Sequence, residues 1–385
     1  MAQALISRKG GGGGGYATIT FDNVSSLTKS TPTALSTARY KLAATTVGNY
    51  ALFGGGMYNY SDEYSTVDAY NTSLTRSTPT VLSAARQALA ATTVGNYALF
   101  GGGRHGYSSY DSTVDAYNTS LTRSTPTSLS VSRANLAATT VGDYALFGGG
   151  DASTTLSTVD AYNTSLTRST PTALSRSRHL LAATTVGNYA LFGGGGPSST
   201  VDAYNTSLTR STPTELSFSS YYLTATTVGN YALFGGGPGE STVNAYNTSL
   251  ARSTPTALSE PRQNLSATTV GNYALFGGGV ANSISSTVDA YNTSLARSTP
   301  TALSVGRGSL AATTVGDYAL FGGGVAGSPL STVDAYYLNN QVLVYPGTKY
   351  KLGSMTDEAT SDSMQMITTT APITGYIKIK DATIN

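Results

Sequence analysis

Six arginines recur at one position of a repeated phrase: Arg39, Arg86, Arg133, Arg178, Arg262 and Arg307. A guanidinium at a fixed place in successive units could build a cationic ring at a channel mouth. Such a ring would attract carboxylates or acidic sugars through planar, charge-assisted hydrogen bonds. A structural alternative stays open, in which each arginine satisfies backbone carbonyls or a neighbouring unit's turn. One unit breaks the series and has Ser220 there. A second candidate set is aromatic and polar. Tyr58, Tyr60, Tyr64, Arg104, His105, Tyr107 and Tyr110 lie in two long variable segments, and Tyr40, His179, Tyr221 and Tyr222 in short ones. Segments rich in Tyr, Ser, Gly and Asn suit recognition, because tyrosine supplies contact area at low entropy cost.

Catalysis has little to use. The chain has two histidines, His105 and His179, in different units, and no cysteine. Thiolate chemistry, disulfides and cysteine metal sites are therefore excluded. No acid–base pair is apparent, and Asp62 and Glu63 read as solvated loop carboxylates. The expectation is a non-enzyme with no cofactor and no metal. Asn71-Thr72-Ser73 and its copies match a glycosylation sequon but read better as tight turns. The glycines from Gly10 to Gly15 are followed by neither Lys-Ser/Thr nor a helix pattern, so they are not a phosphate loop. Net charge is +2 with no dense basic run, so no nucleic-acid partner is expected. No apolar run of membrane-spanning length occurs, so no membrane insertion is expected. The leader MAQALISRKGGGGGG carries no apolar stretch of signal-peptide length.

The elements that must position these residues come from repetition. The phrase Ala-Thr-Thr-Val-Gly-(Asn/Asp)-Tyr-Ala-Leu-Phe-Gly-Gly-Gly occurs seven times, with triplets starting at Gly54, Gly101, Gly148, Gly193, Gly235, Gly277 and Gly322. Successive spacings are 47, 47, 45, 42, 42 and 45 residues. Units of this size cannot bury a core alone and must stack radially. In the first unit LAATTV (42–47) reads as an inner strand and Gly48-Asn49 as a hairpin turn. YALF (50–53), STVDAY (65–70) and LTRSTPT (74–80) read as the second, third and outer strands. Pro79 cannot donate to a ladder, which puts the last of them at an edge.

A strand ending in paired glycines, an aromatic-rich third strand and an arginine before the next inner strand resemble the kelch repeat. The resemblance implies an all-β, seven-bladed β-propeller of four-stranded blades, over about 320 residues of the chain's 385. Kelch units usually carry an outer-strand tryptophan; this chain has none, and Leu74 and its equivalents stand there. The division expected is a leader and tether (1–15), a propeller (16–337) and a small C-terminal β appendage or attachment arm (338–385). Within the appendage QVLVY (341–345), TKYKL (348–352) and TGYIKIK (374–380) read as strands. The last unit lacks an outer strand, and SLTKSTPTALS (26–36) supplies one, which closes the ring. Asp68 and Arg76 are equidistant from Thr72 and should face each other, as should Asp115–Arg123, Asp160–Arg168, Asp202–Arg210 and Asp289–Arg297. Closure would set Asp334 opposite Lys29. As exposed pairs they would contribute about 0.2–1 kcal/mol each. Asn244 replaces the aspartate in the fifth unit, and 16–22 has no evident slot.

Variation is concentrated in two places per unit: after the Gly triplet, and between Leu-Ser and the next inner strand. In up-down-up-down blades both connections leave on one face, opposite the two invariant turns. The expectation is a recognition protein whose variable face binds a cell-surface glycan or protein. Near-identical units, a glycine-rich leader and a short β tail also resemble bacteriophage particle proteins. That resemblance implies host attachment or decoration, a virion or extracellular location, and oligomeric docking to other particle proteins through the termini. The alternative is a bacterial kelch scaffold binding a protein partner in the cytoplasm.

Overall fold

The computed structural model describes residues 2–6, 17–59, 61–106, 108–344 and 366–369, with side chains described over 26–59, 61–106 and 108–339. The chain divides into two units, Lys29–Tyr337 and the remainder, Met1–Thr28 with Leu338–Asn385.

The larger unit is a seven-bladed β-propeller of four-stranded antiparallel sheets. In the first blade the strands are Ala43–Val47, Tyr50–Gly54, Val67–Asn71 and Arg76–Ser77, from the axis outward. Gly48 makes the first hairpin at φ +51°, a conformation glycine adopts without steric cost. Both faces of the second strand meet neighbouring blades. Ala51, Leu52 and Phe53 are accordingly all buried, with no polar alternation.

The outer strand is shorter than the seven residues expected. The third hairpin closes as an Asx turn, in which Asn71 Oδ1 accepts from the amides of Ser73 at 3.0 Å and Thr75 at 2.9 Å. Leu74 takes φ +59°, and pairing is confined to Ala69↔Ser77 and Tyr70↔Arg76. The wider turn moves the register, so Arg76 lies opposite Tyr70, not Asp68. The Asp68–Arg76 ion pair still forms, diagonally, at 2.9 Å. It is not an exposed pair, because the carboxylate is fully buried.

Blades hold one another by three repeated contacts. The first glycine of each triplet lies under the next blade's phenylalanine: a Cβ on Gly54 would meet the Phe100 ring at 2.8 Å. Each third-strand tyrosine packs edge-on to its blade's phenylalanine, with Phe53 and Tyr70 centroids 5.9 Å apart. Its hydroxyl donates to a carbonyl of the preceding blade's Ser-Thr-Pro-Thr segment, as Tyr117 does to Thr80 at 2.7 Å. Burial raises these phenols far above their ordinary acidity range, so they act as donors at any physiological pH. Around the axis, threonine hydroxyls form the third contact. Thr45 pairs with Thr93 at 2.9 Å, and Thr93 donates to the Thr46 carbonyl. They line a channel of about 340 Å³ walled by alanine and threonine.

The same contacts cross the closure. Thr46 meets Thr313 at 2.9 Å, Gly322 lies under Phe53, and Tyr70 donates to Thr33 at 2.7 Å. In the seventh blade the outer position belongs to the strand Ala17–Ser30, beside Val333–Val344. Lys29 Nζ is 3.5 Å from Asp334 Oδ1.

In the smaller unit Ala2–Ile6 runs antiparallel to Ala17–Ser30, so 17–22 continues the strand that supplies the seventh blade's outer position. Met366–Thr369 pairs with residues 340–343. Strand-like runs 348–352 and 374–380 and the tether 10–15 lie outside the described residues.

Candidate functional site

Both variable connections meet on one rim. The backbones of Tyr40 and Met57 exchange hydrogen bonds at 3.1 and 2.9 Å, and Gln87 and Arg104 do the same at 3.1 and 2.9 Å. Each pair joins a blade-to-blade residue to the residue after a Gly triplet. The invariant turns meet elsewhere: Gly48 of the first blade faces Thr119 in the second blade's Asn-Thr-Ser turn.

On the variable rim a single backbone belt encircles the channel mouth. Lys41 N–H donates to Ser309 C=O, Ala88 to Lys41, Asn135 to Ala88, Leu180 to Asn135, Tyr222 to Leu180, Asn264 to Tyr222 and Ser309 to Asn264. The seven distances run from 2.8 to 3.1 Å, and the circle is closed. Every member takes a left-handed conformation, with φ between +52° and +56°. Non-glycine residues seldom adopt it, and for leucine, lysine or tyrosine it costs about 1–2 kcal/mol. The belt therefore demands one backbone shape from each blade while the side chain changes almost every time. Sequence inspection missed this position as a class. Two asparagines among seven were its only trace, because Lys41, Leu180 and Tyr222 argue against a positive φ.

The arginines do not form the expected cationic mouth. Arg39, Arg86, Arg133, Arg178, Arg262 and Arg307 are at most 1 % exposed. Arg39 Nη2 donates to Asp68 at 2.8 Å and to the Phe53 carbonyl at 3.1 Å. Asp68 also accepts from the Ser36 amide at 3.0 Å and from Arg76 at 2.9 Å. The arrangement recurs with Asp115, Asp160, Asp202, Asp289 and Asp334. Burial lowers the Arg39 pKa, and the Asp68 carboxylate opposes that shift. These arginines fasten the blade junction and are unavailable to a ligand. Sequence carried a signal for this pairing. Both exceptions, Ser220 and Asn244, fall in the fifth blade, where the two buried charges vanish together.

The remaining candidates are distributed unevenly. Blades one and two raise hairpins, Met57–Asn59 with Asp62–Glu63 and Arg104–His105 with Ser109–Tyr110. Tyr58 on the first is 47 % exposed. Tyr60 and Tyr107 lie outside the described residues. Tyr64 is half-buried, and its backbone closes the hairpin base on Gly56 at 2.8 Å. Glu63, read from sequence as solvated, instead joins the hairpins by accepting from the Gly106 amide at 2.7 Å. His105 Nε2 lies 3.3 Å from Asp111 Oδ2, and the Tyr110 hydroxyl reaches Asp151 at 3.4 Å. Tyr40 is half-buried, with Lys41 Nζ 5.8 Å from its ring centroid. Across the mouth His179 is half-buried, and its Nδ1 is buried without a hydrogen-bond partner. Tyr221 and Tyr222 are 37 % and 36 % exposed, with centroids 5.2 Å apart.

Burial pushes the Asp111 carboxyl up, but the hydroxyl and amide of Thr113, then Arg86 and His105, outweigh it and hold the pKa below 3.8. A depressed carboxylate stabilises the fold above its unfolded value and loses that contribution as pH falls through the folded one. The second hairpin is therefore expected to keep its amide protection at pH 5 and to lose it progressively as pH falls below the ordinary carboxylate range. Hydrogen exchange across 104–113, followed downward from pH 5, measures this, and protection that never declines on acidification to the point of global unfolding would refute it. No family model matches the chain, and no curated protein matches it.

Proposed function

We propose that this chain is a non-enzymatic recognition protein whose variable rim binds a cell-surface glycan or protein. The observation that carries the reading is the belt. Seven superimposable left-handed positions present seven side chains of six kinds around one channel mouth. Holding bulky residues in that conformation opposes folding, and such strain concentrates where side chains serve binding. On the opposite rim the turns stay Gly-(Asn/Asp) and Asn-Thr-Ser. The blade sequence supports a kelch-like ancestry. Near-identical units, the glycine-rich leader and the β tail support a place in a phage particle, docked through the termini. Many copies on such a particle would strengthen weak single-site contacts.

Replacing Lys41, Ala88, Leu180, Tyr222 and Ser309 together by asparagine tests the reading. Asparagine accepts the left-handed conformation, so the melting temperature is expected to stay level or rise. Labelled wild-type protein is expected to stain at least one strain in a panel of intact bacteria, and the variant none. Equal staining by both proteins would remove the rim from the account.

A further inference from the structure

Opposite the tall hairpins, the rim over blades four and five is low. The connections after the Gly triplets shrink to 196–199 in blade four and 238–240 in blade five, against 57–64 and 104–111 in blades one and two. This leaves Tyr221 and Tyr222 both exposed on the rim. Their rings are tilted by 49° at 5.2 Å, which offers two faces of one aromatic shelf. Tyr222 stands in the belt at φ +55°, gripped by Leu180 and Asn264 at 3.1 Å each. The shelf is thus fixed by backbone, not by a flexible loop.

Amides and an imidazole flank the shelf along the belt. Gln263 and Asn264 follow it on one side. His179 precedes it on the other, with its unpartnered Nδ1. Charge is withdrawn from the same sector. Ser220, directly before Tyr221, and Asn244 replace the buried arginine and aspartate of the other blades. Arg178 and Arg262 are buried against Asp202 and Asp289, and Glu260 is held by Ser285 and Arg262. Glu240 on the short loop is the remaining acid nearby.

From these observations we propose that Tyr221, Tyr222, His179, Gln263 and Asn264 form a subsite for an uncharged saccharide. The inference rests on the recognition reading of the rim and names its ligand class. A pyranose has an apolar C–H face and a hydroxyl edge. Tyrosine rings cover the first and side-chain amides bond the second, the usual division of labour in a small-ligand site. An acidic sugar would need a cation beside the rings; Arg178 and Arg262 are sequestered, and the exposed Arg176 lies with Pro213 and Glu215 beside the outer strand. A nucleic-acid strand would need a basic track beside the stacked rings, which this sector lacks.

The test uses the full chain on immobilised oligosaccharides ending in neutral hexoses, N-acetylhexosamines, uronic acids or sialic acids. The wild type is expected to retain neutral members. Tyr221→Ala combined with Tyr222→Asn is expected to weaken that binding at least about tenfold, while Tyr58→Ala on the opposite hairpin changes it less than about twofold. Asn135 and Asn264 already occupy the belt position that Tyr222→Asn would fill, so the variant should keep its melting temperature, and the melt is recorded alongside. Retention of acidic members alone, undiminished binding by the double variant, or retention of no member would each overturn the saccharide assignment. Failure of the recognition reading is separate, since it is read from cell staining by the five-asparagine variant.

Discussion

Asp160→Asn is expected to lower the unfolding free energy by about 3–5 kcal/mol, the cost of breaking a buried ion pair from one side. Arg133 is fully buried and would lose the carboxylate that it meets at 2.8 Å. Arg168, one quarter exposed, would lose its partner at 2.9 Å but could turn to water. The cost therefore lies mainly with Arg133, whose charge would remain in the junction uncompensated. The fifth blade shows how the protein avoids this. There Ser220 and Asn244 occupy the two positions, the asparagine carbonyl accepts from Ser217 at 3.0 Å and Arg252 at 3.1 Å, and Ser220 donates to the Gly236 carbonyl at 3.2 Å. Arg133→Ser combined with Asp160→Asn reproduces that pair. Although it removes more atoms, the double variant is expected to be more stable than Asp160→Asn alone. Urea denaturation of wild type, both single variants and the double gives the coupling. Additive costs would mean that the guanidinium and carboxylate are independent.

The glycine triplet yields the second large effect, graded by what a methyl group would meet. At Gly102 a Cβ would lie 2.6 Å from the Arg133 carbonyl oxygen, and φ is already +68°. Collision with backbone adds to left-handed strain, so Gly102→Ala is expected to cost more than about 3 kcal/mol. At Gly101 the collision is with the Phe147 ring at 2.8 Å. That ring is fully buried between blades and can yield a little, so Gly101→Ala should cost about 1–3 kcal/mol. At Gly106 nothing lies within 4 Å and only the φ of +55° is unfavourable. Gly106→Ala should therefore cost about 1–2 kcal/mol at most. Chemical denaturation of the three variants ranks them. A Gly106 variant less stable than the Gly102 variant would show that backbone approach between blades is not what these glycines serve.

Much of the scaffold could be read before any coordinates. The period, the Gly-Asn hairpins and the small inner-strand residues are local properties, and each implies its element through steric limits that act within a few residues. The outer strand from the chain's other end was legible for a related reason: one repeat lacked a segment and residues 26–36 held it. The third hairpin was misjudged because Leu74 hides a left-handed turn that an asparagine side chain closes. The arginines were misplaced because a repeated cation looks the same whether it faces a ligand or a buried carboxylate. Only the joint exceptions at Ser220 and Asn244 separated the two.

Residue order alone was enough to determine a closed all-β ring with one variable rim, because strand alternation and repeat count follow from short-range pattern. Tertiary structure decided what that rim offers. It took six arginines into the blade junctions, where desolvation demands a partner, and it placed seven dissimilar side chains on one backbone belt. The belt depends on contacts between successive units and the arginine pairs on contacts between distant strands of one unit, and no local pattern records either.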